Sequence, residues 1–208
     1  MQKIILIILL SAFTGTVMAQ NEFTFDFYTK LGKESNVLFS PTSIKTAFAM
    51  AYEGANGTTQ TEFEKVFGFK EDNSLFHTET KHLKSVANIC NSTWILNNYE
   101  VLPDYINTMK TDFDAKPRYT DFKNDPEGSA DKINKWIEKS TKGMIKKMLT
   151  PDAVENFKMA LVNAIYFKQD WKHPFDKELT KKDEFKNLSG AKVDVDMMHS
   201  LRYFKAYE

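Results

Sequence analysis

Four histidines, one cysteine and scattered serines and acids are the side chains from which this sequence could assemble a reactive centre, and their spacing disfavours the familiar ones. His77, His82, His173 and His199 are dispersed along the chain. None stands in the HExxH spacing that places two imidazoles on one helical face around zinc. Cys90 is the single cysteine and has no nearby histidine, which removes the structural zinc patterns and any internal disulfide. A lone cysteine in an apolar run reads as core. There is no GxSxG elbow, no GxxxxGK[ST] phosphate loop and no GxGxxG; Gly54-Ala-Asn-Gly57 lacks the third glycine and follows a helix pattern. A Ser–His–Asp triad is defined by geometry, so spacing alone neither supports nor removes it. The sequence therefore reads as a non-enzyme with no cofactor and no metal.

Binding chemistry is equally sparse. Asn56, Asn91 and Asn187 open Asn-x-Ser/Thr sequons, which chance explains, and Asn91 falls in a predicted strand where a glycan would not fit. Lys139, Lys142, Lys146 and Lys147 cluster near one helix end and read as a solvated face rather than a polyanion site. Lys plus Arg and Asp plus Glu are equal at 28 each, so the whole-chain field gives no reason to expect nucleic acid or an acidic membrane. The apolar share of 42% and 17 phenylalanines supply a core, so the chain is globular. Residues 1–19 differ: Lys3, the apolar run from Ile4 to Leu10 and the ending Val17-Met18-Ala19 read as a signal peptide cut after Ala19, with no membrane once it is removed. The expected location is extracellular or periplasmic.

The remaining residues must position whatever chemistry exists. Phe23, Phe27 and Leu31 have helical spacing closed by Gly32. Val37-Leu38-Phe39 leads into Ser40-Pro41, where serine caps and proline opens a helix carrying Ile44, Ala47, Phe48 and Ala51 on one face. Thr59 and Glu62 have capping-box spacing for a helix burying Phe63, Val66 and Phe67 before Gly68. Residues 71–84 are polar and read as a loop or a weak helix. Residues 86–96 predict a strand, 103–113 a helix and 118–122 a short strand. Asp125-Pro126 opens a longer surface helix with Ile133, Trp136, Ile137 and Met144 as its apolar stripe.

Residues 159–167 are nearly all apolar, as in a strand buried on both faces or a buried helix, and their β-branched and aromatic content favours the strand. Asn163 interrupts that run. An unpaired buried amide costs about 1–3 kcal/mol, so Asn163 requires a defined partner. Shorter strands are expected at 184–187 and 193–198, and residues 203–208 alternate like a strand with no turn to finish them. No repeat or linker divides the chain, and strands and helices do not alternate strictly, which makes the fold class mixed α+β.

Several segments resemble the serpin family, in order. Asn36-Val-Leu-Phe-Ser-Pro-Thr-Ser-Ile44 resembles its strand-to-helix-B junction, and Gly54-Ala-Asn-Gly-Thr-Thr59 the turn into the next helix. Ile133-Asn134-x-Trp136-Ile137-x-x-Ser140-Thr141-x-Gly143-x-Ile145 is similar to the helix that crosses the large sheet. Leu161-Val-Asn-Ala-Ile-Tyr-Phe-Lys168, followed by Trp171 and Phe175, resembles a central strand and its upper end.

The resemblance implies a large central sheet with packed helices and smaller sheets, with residues 20–208 as the N-terminal part of a single serpin domain, incomplete at its C-terminus. It implies a secreted inhibitor of serine or cysteine endopeptidases in which a cleaved reactive loop inserts as a new strand. Ser40, Ser43 and Asn163 map to the family's shutter, Trp171 to the upper sheet or breach, and Ile133, Trp136 and Ile137 to the sheet-covering helix. The shutter's partner histidine, the hinge and the reactive loop belong to the family's C-terminal part and are absent from these residues, so the chain alone is expected to be inactive. Asp196 stands where the family usually has proline, and the segment between Gly68 and Lys84 is short for helix D, which argues against a glycosaminoglycan partner. The target protease is the expected partner. A non-inhibitory carrier, chaperone or storage protein on the same scaffold is the alternative, and an unrelated enzyme would need a catalytic group the sequence does not offer.

Overall fold

The computed structural model describes residues 23–31, 37–70 and 74–200. The expected leader over residues 1–19 and the strand pattern at 203–208 lie outside them. The chain divides into two compact units, one up to Phe167 and one from Lys168 onward.

In the first unit, helix α1 runs over residues 23–30 and buries Phe23, whose ring packs against Phe67 at 5.0 Å between centroids. Helix α2, Pro41–Tyr52, begins as expected: Ser40 Oγ accepts from the Ser43 N–H at 3.2 Å and Pro41 opens the first turn. Its buried face is rotated from the one expected. Lys45, Thr46, Ala49, Met50 and Tyr52 are buried, whereas Phe48 is 43% exposed and stacks on Phe67 at the rim. Thr46 can be buried because its hydroxyl donates to the Thr42 carbonyl at 2.7 Å. Helix α3, Gly57–Phe67, starts earlier than the Thr59–Glu62 pattern suggested because Asn56 caps it, and Gly68 closes it with φ 69° in the left-handed region. Phe67 is buried there, but Val66 is 56% exposed. The polar stretch left open between loop and helix forms α4, Ser74–Leu83.

Strand β1, Asn88–Leu96, lies at the centre of a three-stranded sheet, between β2, Pro117–Thr120, parallel to it, and β3, Met159–Tyr166, antiparallel to it. Alternation along a strand sends successive side chains to opposite faces. On one face lies a core of Ala49, Met50, Tyr52, Phe67, Phe69, Met109, Phe113 and Ala115 from α2, α3, helix α5 (Pro103–Thr111) and their loops, with Leu161 of β3 packed on it. On the other, Trp94 joins Phe122, Ala130, Ile133, Ile137 and Val154, with Leu96, Ala160 and Val162 alongside.

The second face is covered by helix α6, Pro126–Ser140, capped by Asp125, whose carboxylate accepts from the Gly128 N–H at 2.9 Å. Ile133 and Ile137 are buried as expected and Trp136 packs at the edge. Met144 does not continue the stripe and is 76% exposed, because the helix ends at Thr141 and Lys142 and Gly143 turn the chain at φ 51° and 82°. A short helix α7, Pro151–Val154, precedes β3.

The strand over 159–167 exists, but its expected burial on both faces is corrected. In β3 only Ala164 is buried, and Phe167 lies beyond the strand at 67% exposure. The reason is topological: among the described residues β3 pairs only with β1, so it is an edge. The deeply buried strand is β1.

The second unit holds a 3₁₀ turn, Lys177–Leu179, and an antiparallel hairpin of β4, Lys181–Lys186, and β5, Lys192–Met197. The strands cover the segments expected at 184–187 and 193–198 with shifted ends. Asp196 faces Lys182 in register and accepts its ammonium at 3.0 Å, an ion pair that a proline could not make.

Candidate functional site: a polar clasp between helix α2 and the sheet

The N-terminal turn of α2 sits over β3, and three polar residues bridge them. Ser40 caps the helix and so fixes Ser43 one turn on. The Ser43 hydroxyl donates to Asn163 Oδ1. Asn163 then donates through Nδ2 to Asn91 Oδ1 at 2.7 Å, and Asn91 donates through its own Nδ2 to the Phe113 carbonyl at 2.8 Å. A continuous line of hydrogen bonds thus runs from helix α2 through β3 and β1 to the loop after α5.

The register makes the line possible. Asn91 and Asn163 are direct cross-strand partners, so their carboxamides stand side by side on the face that looks toward α2. Asn91 is 7% exposed and Asn163 half-buried, so neither amide depends on water for partners. Thr93, two residues along on the same face, is fully buried with its Oγ1 unpaired among the described residues. The expectation that Asn163 has a defined partner is met twice, by Ser43 and by Asn91.

Asn91 is the residue sequence reading did not assign. It entered only as a sequon residue in a strand, and its burial leaves no room for a glycan. The signal was weaker than for Asn163, because Asn88 and Ser92 are polar in the same strand; only the alternation that puts Asn91 in phase with the buried Ile89 and Ile95 marks it as inward. What could not be read was the register that puts the two opposite each other.

The remaining candidates are placed as follows. Ile133, Trp136 and Ile137 lie on α6 against the opposite face of the sheet from the clasp. That helix is tied to the segment following it: buried Asn134 accepts from the Met148 and Leu149 N–H groups at 2.9 Å each and donates to the Leu149 carbonyl at 2.8 Å. Trp171 belongs to the second unit, is 68% exposed and meets Phe175 edge-on at 5.9 Å. Cys90, expected in the core, is half-exposed and donates weakly to Asn88 Oδ1 at 3.6 Å. His77, expected in water, is half-buried with its ring edge-on to Phe113 at 4.9 Å. Among the described residues no group of histidine, cysteine and acidic side chains could hold a metal, and no helix is long and apolar enough to cross a membrane. The clasp offers no reactive group; it is a set of neutral hydrogen bonds between a helix and the edge of a sheet.

A family model described as "Serpin (serine protease inhibitor)" matches residues 18–208. The chain belongs to the serpin family. An uncharacterized serpin-like protein of Methanosarcina acetivorans is 33% identical over 200 residues, which cover 89% of this chain and 47% of that protein. The leukocyte elastase inhibitor of Xenopus tropicalis is 35% identical over 196 residues, covering 88% of this chain and 52% of that protein. Among solved structures, a cleaved serpin 42Da superposes with a TM-score of 0.79 at 29% identity, covering 86% of this chain and 51% of that one. The serpin chain therefore spans about half the length of the relatives it matches. Its mixed α+β arrangement is the serpin fold, and serpins as a family are protease inhibitors rather than enzymes.

Proposed function

We propose that these residues belong to an exported serpin that inhibits a serine or cysteine endopeptidase by inserting its cleaved reactive loop into the large sheet as a new strand. Insertion of this kind drags the acylated protease away from its working geometry and draws on strain stored in the starting fold. The observation that carries the reading is the clasp. A sheet that must admit a strand needs a junction that holds it shut and reopens, and neutral hydrogen bonds worth about 0.5–1.5 kcal/mol each supply a latch of that strength. Ser43, Asn163 and Asn91 form such a latch at the edge strand β3. Family membership and a relative named for elastase inhibition point the same way. Export rests on the leader pattern in residues 1–19.

The test is to express the natural gene product, with whatever adjoins these residues, and mix it with trypsin, elastase and subtilisin. A complex that survives denaturing electrophoresis with one of them is the expected result. Cleavage by all three without such a complex would favour the carrier, chaperone or storage reading.

A further inference from the structure

We propose that Asn56–Gly57, at the start of helix α3, is a site of spontaneous deamidation in the folded protein. It is the sole Asn-Gly step in the sequence. Glycine matters because its missing side chain removes the barrier to attack by its own backbone nitrogen on the preceding carboxamide. Three features of the structure leave that attack open. The Gly57 N–H donates to Asn56 Oδ1 at 2.6 Å, which holds the nitrogen beside the carboxamide; the attack breaks this bond and turns the nitrogen toward Cγ. As the first residue of the helix, Gly57 has an N–H with no carbonyl four residues back to hold it. Both residues are exposed, and a side-chain carbon built on Gly57 would meet nothing within 4 Å.

The step balances without a co-reactant other than water. The Gly57 nitrogen loses its proton and bonds to Asn56 Cγ, and the Cγ–Nδ2 bond breaks to release ammonia and leave a five-membered imide. Water then opens the imide at either carbonyl, giving aspartate or isoaspartate at position 56. Aspartate would keep an oxygen at the cap and add a negative charge where the helix dipole favours one. Isoaspartate lengthens the backbone by one carbon and displaces the cap.

Other asparagines are held differently. Asn91 is buried and bonded at both ends of its carboxamide. Asn124 donates its Nδ2 to both oxygens of Asp121. Asn187 accepts from the Ala191 N–H and the Ser189 hydroxyl, and leucine follows it.

Folded chain incubated in mildly alkaline buffer, then denatured and digested with trypsin, gives a peptide from Thr46 to Lys65 in which Asn56 is the sole asparagine. The expected result is progressive loss of the Asn56 amide into aspartyl and isoaspartyl forms, the latter read by isoaspartyl methyltransferase, while the peptides holding Asn91, Asn124 and Asn187 keep theirs. Asn56→Ser, which retains a capping oxygen, should abolish the methyl acceptor in that peptide and leave the circular dichroism unchanged. An intact Asn56 amide after any of the other three has converted, or conversion seen only in denaturant, would overturn the proposal.

Discussion

Each residue in the clasp does a different job, and substitutions separate them. Asn91→Ala leaves the Asn163 Nδ2 and the Phe113 carbonyl unpaired beside a buried strand, and should cost about 1–3 kcal/mol in urea unfolding. Ser43→Ala removes one donor from a half-buried acceptor and should cost about 1 kcal/mol. Because both bonds pass through Asn163, the double variant should lose less than the sum, a departure from additivity that a thermodynamic cycle reads directly. Thr93→Val has the opposite sign: its buried hydroxyl has no partner among the described residues, so removing it should stabilise by about 1 kcal/mol. Tyr105 supplies a pH signature. Its hydroxyl donates to the Met50 carbonyl at 2.9 Å, and burial, helped by the charge of Glu53, pushes the phenol from 10.0 up to about 12. The folded state thus holds this proton more tightly than the unfolded one. Its contribution to stability is complete below pH 10 and is lost as pH rises toward 12. Absorbance titration should show a tyrosine ionising near pH 12 that Tyr105→Phe removes.

At the scale of elements, caps and turn residues made the sequence readable, while rotation about an axis did not. Ser40-Pro41, Asp125-Pro126 and Gly68 mark real boundaries because each satisfies backbone groups locally, without help from distant residues. Which face of α2 turns inward depends on neighbours the local pattern does not contain: the aromatic side chains of α3 draw Phe48 to the rim and leave Thr46 inside. The same limit applies to β3, whose apolar run gave its conformation but not its place at an edge. Serine and asparagine in the clasp were legible through the family resemblance, and Asn91 was not, since its role exists only in the register with β3. Two further outcomes follow here. Asp125→Ala should destabilise α6 by about 0.5–2 kcal/mol, seen as a lower urea midpoint. Asp196→Asn should change stability by less than about 0.5 kcal/mol, because both partners of its ion pair with Lys182 are largely in water.

In the molecule as a whole, the first unit is organised around a sheet whose outer strands, β2 and β3, each have one unpaired edge among the described residues. Such edges are templates for pairing with another chain. A polypeptide of these 208 residues expressed by itself should therefore self-associate, with sedimentation showing species larger than a monomer and a lysine introduced on β3 reducing them.

The clasp has a kinetic corollary. Ser43 and Asn163 are 120 positions apart, and Asn163 and Asn91 are 72 apart. Closing long loops is slow because the chain surrenders its freedom before the contacts reward it. During synthesis α2 through α6 emerge while β1 still lacks its antiparallel mate. The clasp is consequently among the later connections that residues 37–167 can make, and a helper that shields β1 in the interval would act on yield rather than on the finished fold.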